Sequence, residues 1–497
     1  METIHPKDEN ELAAAVRSLA QSGTPAEIVG AGSKRGIGRP VEHRAIIETR
    51  AMTGLTLYAP TELVMSARAG TSVSEIEATL AERNQMLAFE PIDLGPASGG
   101  PGRAQTIGGV FATAASGARR IAGGGARDHI LGVRAVNGRG EIFKSGGRVL
   151  KNVTGYDVGR SLVGSWGTLA VLTEVTFKVM PRSERTETLV WTGLTEEIAV
   201  EALCAAMGTP FEVSGTVHLT AGLTSRLELK GLAREAAPIT AIRIENFASS
   251  IDDRARRLAD ALRIYGTPTM LGPQASPLFW SELRRLSVLT PIPGDPATQL
   301  WRISTAPRQS ANVIAAIRRN TDAEALFDAS GGVIWLEVPA SADAAAADIR
   351  RILAGHGGHA TLIRAEPEVR EVVEVFQPMP SANARLTAGL KEFEDRLQLP
   401  WCPPDRDHTY MLYGLVLRGE DKTKLVNFLE DRGVETRDML PLINQPVYKE
   451  LFGDLEPRFP VARELNRSAF YIGCHQYMSA DDADYAVEQF RAFFRGR

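Results

Sequence analysis

The feature that most constrains this chain is the run from Thr106 to Val179. It opens with TIGGVFATAASGARR and continues, a few residues on, as RDHILGVRAVNGRGEIFKSGGRVLKNVTGYDVGRSLVGSWGTLAVLTEVTFKV. Gly108, Gly109, Gly117, Gly123 to Gly125, Gly146, Gly147, Gly155, Gly164 and Gly167 punctuate it, between strand-like segments and small hydroxyl residues. Glycine costs backbone entropy and contributes no packing, so a core alone does not require this density. A large ligand approached closely by backbone N–H groups does.

A second glycine system lies upstream. Glu27 to Gly30 is expected to be a short strand that runs into GAGSKRGIG, residues 30–38. Gly30 and Gly32, with Ala31 between them, permit a tight turn whose N–H groups converge. Ser33 adds a hydroxyl and Lys34 a positive charge, a set that suits a pyrophosphate. Taken alone, a glycine turn after a strand is more often only a turn. The pattern is neither the G-x-G-x-x-G that opens a helix in dinucleotide folds nor a Walker loop.

With 497 residues the chain exceeds one ordinary core, and two to four domains are expected. A net charge of −4 offers no basic surplus, so nucleic acid is not an expected partner. Cys204, Cys402 and Cys474 are far apart, with no metal spacing and no disulfide framework. A reducing compartment, no metal site and no iron–sulphur centre in this chain are therefore expected. METIHPKDENELAAAV lacks a basic segment followed by an apolar one, so no signal peptide is expected. No run of about 18 apolar residues predicts a transmembrane segment. The expected location is cytoplasmic, and peripheral attachment to the inner membrane through a partner stays open.

The local pattern is α+β. Residues 8–22 have helical spacing at Leu12, Val16 and Leu19, with acidic residues in the first turn. Strands are expected at Ala45–Glu48, Leu63–Ala69 and Ile130–Val136, and Asn137-Gly138 marks a hairpin turn into Glu141–Lys144. Ser72 with Glu75 predicts a capped helix through Asn84. Val171 to Val179 alternates with strand period.

GAGSKRGIG, TIGGVFATAASG, RDHILG, GGRVLKNVTGYDV and GSWGTLAVLTEVTFKVMP occur in the order that resembles the FAD-binding domain of vanillyl-alcohol-oxidase/PCMH-type flavoproteins. Within these the chain is most similar to the FAD-binding (E) subunits of bacterial glycolate oxidases. The likeness is clear over residues 1–183 and looser through PATQLWRIS (296–304), GGVIWLEVP (331–339), GGHATLIRA (357–365) and VFQPMP (375–380). It implies a two-lobed FAD-binding domain over 1–183, an antiparallel-sheet cap with helices over 184–372 and a return helix over 373–396.

By the same resemblance Gly30, Ala31, Gly32, Ser33 and Lys34 bind the pyrophosphate. Thr106, Gly108, Gly109, Thr113, Ser116 and Gly117 line the pyrophosphate and ribityl region. Arg127, Asp128 and Ile130 approach the flavin or adenosine, and Leu172 contacts the isoalloxazine or adenine. Lys151 to Asp157 is implied to close the lobe. Covalent members place a histidine in the first glycine loop, where this chain has Ser33 and Lys34, so non-covalent FAD is implied. Ala170 replaces a usual glycine, and Ala114-Ala115 stands where an asparagine is frequent.

The cap names no catalytic residue. Oxidising a 2-hydroxy acid needs a cation for the carboxylate and a base for the hydroxyl proton. His356 and His359, separated by two glycines, suggest a solvated loop more than a base pair. Arg302 in QLWRIS is either a carboxylate anchor or a surface arginine on a strand.

From Leu397 the character changes. The order strand, helix, extended turn, short helix, strand and closing helix over 397–497 resembles the α/β small domain of DegT/DnrJ/EryC1 sugar aminotransferases, VETRDMLPLINQPVYKEL above all. About a hundred residues cannot supply those enzymes' large domain. Lys391, Lys422, Lys424 and Lys449 are expected on the surface, and no aminotransferase activity is expected. Three functions follow. The first is the FAD-binding subunit of a glycolate oxidase complex, partnered by a second flavoprotein subunit and an iron–sulphur subunit. The second is a self-sufficient FAD-dependent 2-hydroxy-acid dehydrogenase. The third is a scaffold whose tail mediates assembly.

Overall fold

The computed structural model describes residues 2–100, 102, 104–149, 156–233, 237–377, 382–401, 412–439, 441–474 and 478–496. The chain divides into two units, Met1–Gln377 and Pro378–Arg497.

The first unit begins with a small parallel sheet in the order Glu2–Ile4, Ala45–Glu48, Ala26–Val29. The helix Glu9–Gln21 is capped by Asp8, whose carboxylate accepts from the N–H groups of Asn10 and Glu11. That cap satisfies two of the donors a helix start leaves unpaired. Its apolar stripe, centred on Leu12, packs with Ile47 and Met52 and with Val136 and Val171 of the next sheet.

That next sheet is antiparallel, in the order Leu55–Ala59, Val64–Arg68, Ala170–Lys178, Ile130–Asn137, Ile142–Gly146. The alternation over Val171–Val179 thus marks a central strand, and the Asn137-Gly138 hairpin joins Ile130–Asn137 to Ile142–Gly146. Ser72 caps the helix Val73–Ala81 by accepting from Glu75 N–H. The strands Glu2–Ile4 and Leu55–Ala59 were not expected from the sequence.

The cap is one eight-stranded antiparallel sheet among the described residues. Its order is Thr269–Leu271, Arg185–Thr192, Ile239–Asn246, Val213–Leu219, Glu324–Asp328, Val333–Pro339, Thr298–Ser304, His359–Arg364. Side chains alternate between faces along each strand. Trp301, Ile303, Phe327, Ile334, Leu336, Ala360 and Leu362 pack outward under the helices Ser310–Arg318 and Ala346–His356. Leu300, Leu326, Val333, Trp335 and Ile363 face the other way and share one core with Phe89, Phe111 and Ile130 of the FAD lobe. The sheet is therefore covered on both faces.

The second unit has a four-stranded antiparallel sheet among its described residues, in the order Leu397–Gln398, Leu412–Leu417, Ala469–Gly473, Thr436–Asp438. Ser479 and Asp482 form a reciprocal capping box for the helix Ala480–Arg495. Leu386, Leu390, Val487 and Phe490 lie in one core. Gly389 lets that helix approach the helix Ala382–Leu390, since a Cβ at Gly389 would lie 2.6 Å from Val487. Lys422 is half-buried, and its ammonium binds the Asp438 carboxylate at 2.8 Å. It ties a helix start to a strand edge, where the sequence suggested a surface lysine.

Candidate functional site

The two glycine loops meet. A Cβ at Gly30 would lie 2.5 Å from the Thr106 hydroxyl, and one at Gly108 would lie 2.8 Å from the Ala69 carbonyl oxygen. Bare backbone permits these approaches without displacing either partner. Thr106 caps the short helix Ile107–Ala112, its hydroxyl accepting from Gly109 N–H at 3.3 Å. Thr113 closes the same turn by donating to the Gly109 carbonyl. Gly32 has φ +78°, which turns the first loop.

Ala31 and Ser33 are buried, Ser33 against the 91–100 segment. Ser98 donates to the Ser33 carbonyl at 3.1 Å, and a Cβ at Gly100 would strike the same carbonyl. Lys34 is half-buried between two neutral groups, Ser33 Oγ at 3.4 Å and Gln105 Oε1 at 3.3 Å. Burial pushes its ammonium down to about 8, and the more distant Asp93 carboxylate only partly opposes this. Among the described residues no carboxylate lies within ion-pair distance of it. A desolvated cation whose only partners are neutral acceptors, in a cradle of bare backbone, fits a diphosphate.

The remaining expected residues divide by environment. Ser116 Oγ accepts from Ala126 N–H, and Gly117 lies against Glu90, whose carbonyl oxygen a Cβ there would meet at 2.6 Å. Arg127 and Asp128 are exposed, and Asp128 accepts from Gly125 N–H at 2.8 Å. Ile130 and Leu172 are buried on adjoining strands of the antiparallel sheet. Ala114 takes φ +52°, a left-handed conformation in which asparagine is less strained than alanine. Lys151–Gly155 lie outside the described residues, while Asp157 caps the helix Val158–Leu162.

Sequence reasoning missed the buried charges that join this lobe to the cap. Glu90 receives Arg243 through both terminal nitrogens, at 2.9 and 3.0 Å, and Arg119 at 3.0 Å. Arg119 also binds Glu245, at 2.5 and 2.8 Å. Arg243 is fully buried, with its guanidinium 4.3 Å from the Trp280 ring centroid. Burial alone would raise both glutamates, but the two guanidinium groups outweigh it and hold Glu245 at about 2 and Glu90 below the usual carboxylate range. A second tie uses Arg364. It donates to the carbonyls of Ala97 and Leu289, each at 2.6 Å, and to Glu337 at 3.1 Å. His129 is also buried, its Nε2 2.7 Å from the Gly123 carbonyl, which holds the Gly123–Gly125 turn.

The two cap histidines diverge. His356 ends a helix and contacts the Ile352 carbonyl, whereas His359 begins a strand. Arg302 is half-buried on the sheet face turned toward the FAD lobe, not on an outer surface. Nearby, a cavity of about 20 Å³ is lined by Glu90, Gly117, Trp280, Leu326, Asp328 and Trp335.

Known proteins bear on this arrangement. Residues 2–146 match the family described as FAD binding domain. Glycolate oxidase subunit GlcE of Escherichia coli is 33% identical over 342 residues, which cover 68% of this chain and 82% of that protein. The chain belongs to the GlcE family of FAD-linked oxidoreductases. It is accordingly an FAD-binding protein, and the cradle's donor set fits that cofactor. A D-lactate dehydrogenase of Archaeoglobus fulgidus is 30% identical over 181 residues, 36% of this chain and 38% of that one. The solved structure of p-cresol methylhydroxylase shares the fold, with a TM-score of 0.55 at 12% identity over 74% of this chain and 81% of that one. The GlcE-family member carries one further segment, since residues 374–491 match the DegT/DnrJ/EryC1/StrS aminotransferase family. No helix among the described residues is long and apolar enough to cross a membrane.

Proposed function

We propose that this chain is the FAD-holding subunit of an assembly that oxidises glycolate to glyoxylate. A second flavoprotein subunit and an iron–sulphur subunit are its partners, and the assembly is cytoplasmic or peripheral on the inner membrane. The observation that carries the reading is the half-buried Lys34 ammonium without a carboxylate, set where the two glycine loops meet, in a chain one-third identical to a glycolate oxidase subunit.

In this reading Gly30 to Lys34 hold the diphosphate, with Thr106, Gly108, Gly109 and Thr113 behind it. Ser116 and Gly117 shape the path toward the ring, Arg127 and Asp128 border it, and Ile130 and Leu172 back it from the sheet. FAD bound there supplies the two-electron acceptor for oxidising an alcohol to a carbonyl. Glu90, Arg119 and Arg243 fix the cap sheet over the lobe, and Arg364 fixes its far edge. Water is thereby excluded from the shared core.

The test is the absorbance of the purified protein. Expected is a flavin spectrum, FAD released on denaturation, and bleaching by glycolate when partner subunits are present and oxygen is absent. A colourless protein that takes up no FAD would falsify the reading.

Residues 378–497 support a second role beside this one. They carry their own core and match an aminotransferase family rather than a flavoprotein. We infer that they serve assembly. A chain ending at Gln377 should keep its flavin and change its sedimentation behaviour; an unchanged oligomeric state argues against that role.

A further inference from the structure

The first glycine loop, residues 30–38, has little structure of its own. Between Gly30 and Gly38 the backbone makes two hydrogen bonds to itself among the described residues. Arg35 N–H donates to the Gly32 carbonyl at 3.3 Å, and Ile37 N–H to the Lys34 carbonyl at 3.0 Å. Ordering nine residues costs more conformational entropy than two such bonds offset. The loop therefore depends on contacts from elsewhere.

Two of those contacts come from the far end of the first unit. Arg370 donates to the Gly38 carbonyl at 2.8 Å, across 332 residues of sequence. Arg364 acts one step removed. It donates to the Ala97 carbonyl at 2.6 Å, and the next residue, Ser98, donates to the Ser33 carbonyl at 3.1 Å. The same segment meets the loop again at Gly36, where a Cβ would lie 2.6 Å from the Ser98 carbonyl oxygen. The loop is thus held at Ser33 through Arg364 and at Gly38 through Arg370.

Both arginines sit on one anchored excursion of the chain. Arg364 ends the strand His359–Arg364, and Arg370 lies in the helix Pro367–Val372. Leu362 N–H donates to the Val375 carbonyl at 2.9 Å and closes the excursion at its base. Val369, Val373 and Val375 are buried in the outer core of the cap. An arginine on a helix surface ordinarily pairs with a nearby carboxylate. Glu366 and Glu368 are close enough to act on Arg370 through their charge, yet among the described residues neither forms an ion pair with it. Its hydrogen bonds go to the carbonyls of Gly38 and Ala365 instead. A third contact, Arg39 with Glu374 at 2.5 Å, is exposed on both sides and contributes little.

We propose that residues 364–375 form a strap that keeps the first glycine loop closed on the FAD diphosphate, with Arg370 and Arg364 as its positioning residues, and that release of this strap sets how fast FAD leaves. That the loop carries FAD rests on the function proposed above, whereas the grips are properties of the structure. The strap opens before the cap does, because local opening follows the least stable contacts. Arg243 and Glu90, which join cap to lobe, are fully buried, while Arg370 is only half-buried.

The test uses the full-length chain loaded with FAD, natural and as Arg370→Met, Arg370→Lys, Ser98→Ala and Glu374→Gln. The FAD off-rate is read from the rise of free-flavin fluorescence on dilution. Amide exchange of residues 30–38 is followed by mass spectrometry, with the strand Ile130–Asn137 as reference. Arg370→Met removes a bond from a charged donor and should raise the off-rate about tenfold. Ser98→Ala removes a neutral bond and should raise it about fivefold. Arg370→Lys keeps the charge without the fork and should raise it less than Arg370→Met. Glu374→Gln should change it by less than about twofold. Exchange in residues 30–38 should quicken in Arg370→Met and Ser98→Ala while the reference strand stays as it was.

Unchanged off-rates in Arg370→Met and Ser98→Ala overturn the strap. So does exchange that quickens equally in the loop and the reference strand, because that is a general loss of stability and not a loss of positioning. A flavin that glycolate bleaches beside unchanged off-rates sinks the strap and spares the proposed function. Faster FAD release from a strap variant, in a protein whose flavin glycolate does not bleach, does the reverse.

Discussion

Arg243 of the cap grips Glu90 of the FAD lobe through both terminal guanidinium nitrogens, at 2.9 and 3.0 Å, across 153 residues of sequence. Arg243 is 1% exposed and Glu90 7%. Neither charge has water to return to, so each depends on the other and on Arg119 and Glu245. Glu90 also takes a left-handed backbone, φ +50°. The pair fixes the sheet that carries Arg302, Asp328 and Trp335 to the lobe that carries the glycine loops.

Removing one partner of a buried pair strands the other charge, at a cost of about 3–5 kcal/mol. Arg243→Met should therefore lower the unfolding free energy of the first unit by about that amount and reduce flavin content. Arg254→Met removes a comparable bond to Glu212, but that glutamate is 64% exposed. It should change stability by less than about 0.5 kcal/mol. Denaturant unfolding of the two variants, followed by flavin fluorescence, checks the contrast. Equal losses would show that the network is not what joins cap to lobe.

The same network sets an acid limit. Burial would raise Glu245, but Arg243 and Arg119 carry it from 4.5 down to about 2. A carboxylate depressed in the folded state stabilises fully above its unfolded value and loses that contribution as pH falls through the folded one. Stability should thus be flat from neutrality to about pH 5 and fall between about 4.5 and 2, by on the order of 3 kcal/mol from this group. Thermal melts across that window should show the loss in the natural chain. They should show a smaller slope in Arg243→Met, where the glutamate is less depressed.

What the sequence disclosed and what it hid follow one physical division. The glycine loops were legible because close backbone approach leaves a local mark, and the helices starting at Glu9 and Ala480 because Asp8 and Ser479 cap them locally. The strand Ala170–Lys178 was legible from its period. Glu90 was not, because LAFEPID resembles a surface turn until a partner far along the chain is placed beside it. Arg302 pointed to solvent by the usual rule that a polar residue alternating with apolar ones lies outside. That rule assumes a sheet with one wet face, and this cap is covered on both. The strand Leu55–Ala59 was hidden by a register irregularity between Leu55 and Leu57, which breaks the alternation.

Lys34 predicts a pH dependence of cofactor binding. Its ammonium, pushed by burial to about 8, is charged at neutral pH and largely neutral at pH 9.5 in the flavin-free protein. A charge-assisted bond to phosphate contributes about 1.5–3 kcal/mol. The FAD dissociation constant should rise at least tenfold between pH 7 and 9.5, as read by quenching of flavin fluorescence. Lys34→Met should bind weakly at pH 7 and show little further loss on going to 9.5. A natural chain with flat affinity over that range would remove Lys34 from the diphosphate site.

The meeting of the two loops predicts an order among glycine substitutions and a specific rescue. At Gly108 an added Cβ strikes the Ala69 Cβ at 2.7 Å and its carbonyl oxygen at 2.8 Å, so Gly108→Ala must push the backbone around Gly108 away from that around Ala69. Overpacking of that kind costs about 1–3 kcal/mol. At Gly30 the Cβ strikes only the Thr106 hydroxyl, at 2.5 Å, and the next atoms are at 3.6 Å. Gly30→Ala can be accommodated by turning that hydroxyl away, which gives up the cap to Gly109 N–H at a cost of about 1 kcal/mol. Gly108→Ala should therefore be the more destabilising and lose more flavin. Thr106→Ala removes the oxygen that Gly30→Ala meets, so the double variant should be no less stable than Thr106→Ala alone. The two substitutions would then be coupled rather than additive. Additive losses in that double-mutant cycle would mean that the loops do not touch at Gly30 and Thr106.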